Sequence, residues 1–149
     1  MSTRQKHIFI ILTMMFCLIS LSKAQVPEPD TLRQSAQKSD SLVILWTSQD
    51  PEVFTKVVFV YALNSAKQGW WDHVELLIWG PSSKLLAGND KLKEMIGQMS
   101  KNGITLTSCK WCAEQYGVVE QLEVLGVEVK YMGKPLTNYI KSERKVLVF

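Results

Sequence analysis

The chain has 149 residues, 46% of them hydrophobic and 21% charged, enough for a packed core without disulfide stapling. Its formal net charge of +3 belongs to its first residues: of 17 Lys and Arg, Arg4, Lys6 and Lys23 precede residue 25, and the 14 that remain equal the 14 acidic residues. A chain so balanced has no field to draw nucleic acid or an acidic membrane, and nucleic-acid binding is excluded.

In chain order, MSTRQK is a short basic segment, HIFIILTMMFCLISL an apolar run of about fifteen residues, and SKA a small-residue site, the order of a secretory signal peptide. Ser22 and Ala24 place the cut after Ala24, making residues 1–24 the signal and the secreted or periplasmic space the destination. The alternative is a retained anchor, but the run is short of the ~20 residues that span a bilayer. No stable membrane anchor is therefore expected after cleavage. Cys17 leaves with the signal, so only Cys109 and Cys112 meet an oxidising compartment, where a disulfide is the default state. Residues 25–41, polar with two prolines, form a flexible linker, and the folded domain spans 42–149.

LVILW (42–46) is a continuous apolar run, expected of a strand buried on both faces of a parallel sheet. Asp50-Pro51-Glu52 supplies an N-cap, a proline at the first helical position and an acid in the first turn, and starts a helix over 51–68. Its β-branched middle, VVFVYAL, would alone suggest a strand; the start signal and the length favour helix. A helix apolar almost all round needs cover on more than one side, from its own domain or from another subunit. VELLIW (74–79) is the second strand, ending at Gly80-Pro81-Ser82, and a helix follows over 90–101. ITLTS (104–108) is the third strand, and the cysteines open a helix ending near Tyr116-Gly117. Residues 118–125 are helical, GVEVKYM holds a fourth strand, 135–141 a short helix and KVLVF the last strand. Strand alternating with helix five times predicts an α/β domain with a parallel sheet and helices on both faces.

In such sheets, sites form outside the carboxyl ends of the strands. That edge gathers Cys109 after the third strand, Thr47 and Ser48 after the first, and Trp79, Gly80, Pro81 and Ser82 after the second. A helix N-terminus favours a thiolate, by about one pKa unit for Cys109, and Lys110 adds to that. Cys112 lies one turn on, on the same face. Four chemistries fit this pair: a zinc site, an inert disulfide, thiol–disulfide exchange, or sulfur carriage on Cys109. Two cysteines and His73 cannot close a zinc site within one chain, so neither a metal nor a cofactor is expected. His73 is read as a structural histidine, Trp70-Trp71 as packing, and Trp111 as either a shield for the thiols or a core residue. No glycine-rich phosphate loop, paired-carboxylate motif or Ser/His/Asp arrangement is present.

LVILWTS, VELLIWGPSSKLL and ITLTSCKWCAEQYGV together resemble the DsrE/DsrF-like sulfur-relay family, over residues 42–149. The most specific element is a cysteine after the third strand followed eight residues later by glycine and an aliphatic residue, here Cys109, Gly117 and Val118. The resemblance implies a three-layer α/β/α domain with a five-stranded, mainly parallel sheet, commonly assembled into trimers or hexamers. It also implies that Cys109 accepts sulfur as a persulfide from a donor and passes it to an acceptor thiol, on a protein or a small molecule. Cys112 is extra to the simplest relay pattern and would be a companion thiol. Two other functions remain open: an oligomeric binding module with a structural disulfide, and a periplasmic thiol–disulfide oxidoreductase.

Overall fold

The structure is a computed structural model and describes residues 40–142 and 144–149. The expected signal peptide, and the linker up to residue 39, lie outside the described residues. Five strands form one sheet: β1 (Ser41–Trp46), β2 (His73–Ile78), β3 (Thr105–Cys109), β4 (Glu128–Lys130) and β5 (Lys145–Val148). Their order is β4-β3-β2-β1-β5, and every neighbouring pair is parallel.

The helix after β1, α1, runs over residues 51–67 and resolves the conflict between its β-branched middle and its start signal in favour of the signal. Asp50 accepts a hydrogen bond from the Glu52 N–H at 2.8 Å, with Pro51 in the first turn. Its second segment, Phe54–Val58, is a π turn, which the sequence did not announce. Phe54, Val58 and Ala62 point into the core, where Phe54 packs on Trp46 with ring centroids 4.3 Å apart.

Between β2 and β3 lie two helices, α2 (Pro81–Ala87) and α3 (Asp90–Lys101). The sequence pattern assigns no element to the first. Its start is held by Ser82, whose hydroxyl donates to the Trp46 carbonyl at 2.7 Å and accepts from the Trp79 N–H at 3.1 Å. α3 begins at Asn89, whose side chain accepts from the Leu92 N–H, and presents Leu92, Ile96 and Met99 to the core. α4 (Lys110–Tyr116) stops at Gly117, whose left-handed backbone (φ 64°) an L side chain rarely adopts. α5 (Val119–Val124) leads to β4, and α6 (Gly133–Lys141) to β5.

The strand order explains an uneven sandwich. From β1 to β4 the chain advances in one direction, so right-handed crossovers put α1 to α5 on the same side of the sheet. Among the described residues only the return from β4 to β5 places a helix, α6, on the other side. The thick face buries Leu42, Ile44, Trp46, Leu76, Ile78 and Leu106 against the helices. The thin face carries Val43, Leu45, Leu77 and Cys109 beneath Met132 and the half-buried Leu136 and Tyr139. No residue of α6 itself is fully buried. The sheet is thus buried on both faces, as the apolar strand runs require, but by very different amounts of cover.

Candidate functional site

Cys109 was expected just beyond the third strand; it is the last residue of β3 and at the same time the N-cap of α4 (φ −68°, ψ 111°). Strand alternation puts its side chain on the thin face with Thr107 and Glu75, while its register partner on β4 is Lys130. Cys112, three residues on, turns back toward the same cluster. Both thiols are unbridged, and only 4% and 5% of the two residues is exposed.

They lie at the floor of a cleft of about 440 Å³. Trp79 and Trp111 line it from the expected candidates; Tyr131, Met132, Gly133 and Lys134, from the segment after β4, complete it. The carboxyl-edge rule applied to the fourth strand would have found these last four. Burial, first, and a hydrogen bond with the Cys109 side chain push the Cys112 thiol up to about 11, against the lowering influence of the Gly80 backbone N–H. Gly80 therefore belongs to the site through its backbone. The Cys109 side chain makes no capping hydrogen bond to α4.

The other sequence candidates stand aside from the thiols. Thr47 donates through its backbone and its hydroxyl to the Phe149 carbonyl, tying β1 to the end of β5. Ser48 accepts from the Asp50 N–H, and Ser82 holds the start of α2, with Pro81 as its first residue. Lys110 sits at the rim, 3.9 Å from Glu114 and 5.5 Å above the centre of the Tyr131 ring. Trp111 is 60% and Tyr131 62% exposed. The Tyr131 hydroxyl donates to Glu114 at 3.3 Å.

A second polar group on the thin face had no signal in the sequence. Glu75, in the middle of β2, has a nearly buried side chain that accepts from the Thr107 hydroxyl at 2.7 Å and from Arg144 at 3.1 Å. The Arg144 guanidinium in turn lies 4.3 Å from the centre of the Tyr139 ring. Burial and the nearby Glu75 carboxylate push the Tyr139 phenol up. This group fastens α6 and β5 onto the sheet. Among the described residues, no cluster of three or more His, Cys, Asp or Glu side chains could hold a metal, and no helix is long and apolar enough to cross a membrane.

The fold and site define an α/β protein with an all-parallel five-stranded sheet and two free thiols at its carboxyl edge. The chain belongs to the same family as BT1422 from Bacteroides thetaiotaomicron, a conserved protein of unknown function: they share 40% identity over 74% of this chain and 95% of that one, with a TM-score of 0.72. The YchN protein from E. coli shares the fold at 16% identity, with a TM-score of 0.57 over 74% of this chain and 99% of that one. Neither a protein-family model nor a curated protein matches the chain.

Proposed function

We propose that the protein is an exported sulfur carrier of the DsrE-like type, with Cys109 as the sulfur acceptor and Cys112 as its companion thiol. The observation that carries this reading is the pairing of two free, nearly buried thiols at the floor of one cleft. The Cys109 thiolate attacks the outer sulfur of a donor persulfide, R–S–SH. A new S–S bond forms at Cys109, the donor's S–S bond breaks, and R–S⁻ leaves with the electron pair. The sulfur passes on when an acceptor thiolate repeats the step on Cys109–S–SH.

Cys112 can instead attack the Cys109 sulfur, closing a disulfide and releasing HS⁻. Burial pushes its thiol up to about 11, which keeps it mostly protonated at neutral pH and slows this escape.

Thiol-trapping mass spectrometry on protein purified without reductant tests the assignment. Cys109→Ser should abolish persulfide loading, whereas Cys112→Ser should keep it and lengthen the persulfide's life. Loading on Cys112 instead, or on neither thiol, would defeat it and leave the disulfide-bearing binding module or the oxidoreductase as the better reading.

The proposal includes self-association, in line with the trimers or hexamers expected from the resemblance. On α1, Val57 and Val60 are 41% and 45% exposed, a second apolar stripe that the chain's described residues leave uncovered. Light scattering showing a monomer at micromolar concentration would remove that part.

A further inference from the structure

The walls of the cysteine cleft carry information about the donor that the thiols themselves do not. Trp79, Trp111, Tyr131 and Met132 make them aromatic and apolar, and the volume, about 440 Å³, is that of a small-molecule site. With both sulfurs at the floor, a reacting group must be slender and reach inward. Charge near the opening is largely cancelled: Lys110 faces Glu114 and Lys130 pairs with Glu128 at 2.6 Å. Lys134, exposed and without an ion pair among the described residues, is the one charged side chain in the lining.

A small, strongly hydrated inorganic anion gains little in such a place. Its charge would be stripped of water by aromatic walls, and among the described lining residues only the exposed Lys134 carries a charge to replace it. A molecule with an apolar body has the opposite balance, since the same walls shield it and the exposed Trp111 and Tyr131 rings cover it.

We propose that the cleft takes a low-molecular-weight organic persulfide with an aromatic or branched aliphatic body and a terminal carboxylate, the body between Trp111, Tyr131 and Trp79 and the carboxylate at Lys134. This rests on the sulfur-carrier reading and names its donor. The outer sulfur moves from R–S–SH to the Cys109 thiolate, and the thiolate R–S⁻ is released and takes up a proton from solvent. No further oxidant or reductant is consumed.

The test compares three donors on the full chain: the persulfide of 4-(mercaptomethyl)benzoate, the persulfide of 2-mercaptoethanol, both made from the disulfide and sulfide, and thiosulfate. Loading of Cys109 is followed by mass spectrometry. In parallel, 4-methylbenzoate, which cannot transfer sulfur, is titrated into the Cys109→Ser variant by tryptophan fluorescence. The aromatic carboxylate donor should load faster than either comparator by about tenfold or more, and Lys134→Ala should remove a fewfold part of that advantage. Trp111→Ala should weaken both loading by that donor and binding of 4-methylbenzoate, about tenfold.

Equal loading by all three donors, with Lys134→Ala unchanged, would overturn the donor class and leave the sulfur carrier standing. Binding of 4-methylbenzoate without loading from any donor would overturn the sulfur carrier and support the ligand class. Neither binding nor loading would overturn both.

Discussion

The two faces of the sheet are built from the same strands and behave as different materials. The thick face is an apolar interior of five helices, centred on Trp46, Phe54, Leu76 and Ile96, all fully buried. Among the described residues the thin face has one helix, α6, for its cover and keeps Glu75, Thr107 and the two cysteines beneath it. Burial is concentrated where the chain can stack helices; the cleft with the cysteines lies where, among the described residues, a single helix covers the sheet. The lesson is that a strand's alternate residues can be selected for separate purposes, one set to hold the sheet and one to line a site.

The widest gap between the faces should appear in truncations. Phe54→Ala should cost about 3–5 kcal/mol, because a buried ring packed on Trp46 leaves a cavity. Leu136→Ala, on the half-buried side of α6, should cost only about 1–2 kcal/mol. Urea unfolding of the two variants measures the difference, and equal losses would erase the distinction.

A smaller effect is expected from the fastening of the thin face. Glu75→Gln should lose about 2 kcal/mol, since it removes a charge-assisted bond to Arg144 while leaving a cation about one-third exposed. A double-mutant cycle with Arg144→Gln should show the two coupled, and additivity would mean that the pair contributes nothing of its own.

The thin face should also show a pH dependence. Cys112 is neutral in the folded protein up to about 11, whereas an ordinary thiol ionises near 9. Raised in the folded state, its contribution to stability is full below that ordinary value and is lost as pH rises through the folded one. Stability should therefore fall between about pH 9 and 11 by on the order of 2 kcal/mol, and Cys112→Ser should flatten this part of the profile.

The smallest change belongs to the thick face. Ser83 and Ser108 bury hydroxyls that find no hydrogen-bond partner among the described residues. Alanine at either position should be neutral or stabilising by up to about 1 kcal/mol, as an unmatched polar group is removed at little cost in volume. A loss beyond that in thermal unfolding would point to a partner that fills the hydroxyl's need.

Much of the architecture was legible because it is written in local patterns. Apolar runs gave the strands, and Asp50-Pro51 gave the start of α1 despite its β-branched middle. The reach of the signal at Cys109 was also local, since strand end and helix start adjoin in sequence. What escaped depended on contacts made far along the chain. The apolar residues of α2 that pack on the core, Leu85, Leu86 and Ala87, are consecutive and mark no helical period, and its start is stabilised by Ser82 reaching Trp46, 36 residues away. Glu75 stands in an apolar strand, and its partners Thr107 and Arg144 are 32 and 69 residues distant, so no window on the sequence joins them. Tyr131 to Lys134 entered the cleft because β4 lies beside β3, a fact of sheet order rather than of composition.

The reversal of strand order after β4 also sets a sequence of events for biosynthesis. β1 to β4 can pair one after another as they emerge, each with its predecessor. β5 must then travel back to the far side of β1, carrying α6 across the face that holds the cysteines. Contacts of such long sequence separation form slowly. A chain in which β1 to β4 had paired but α6 had not yet crossed would leave Cys109 and Cys112 facing solvent, two strands from the open edge of β1.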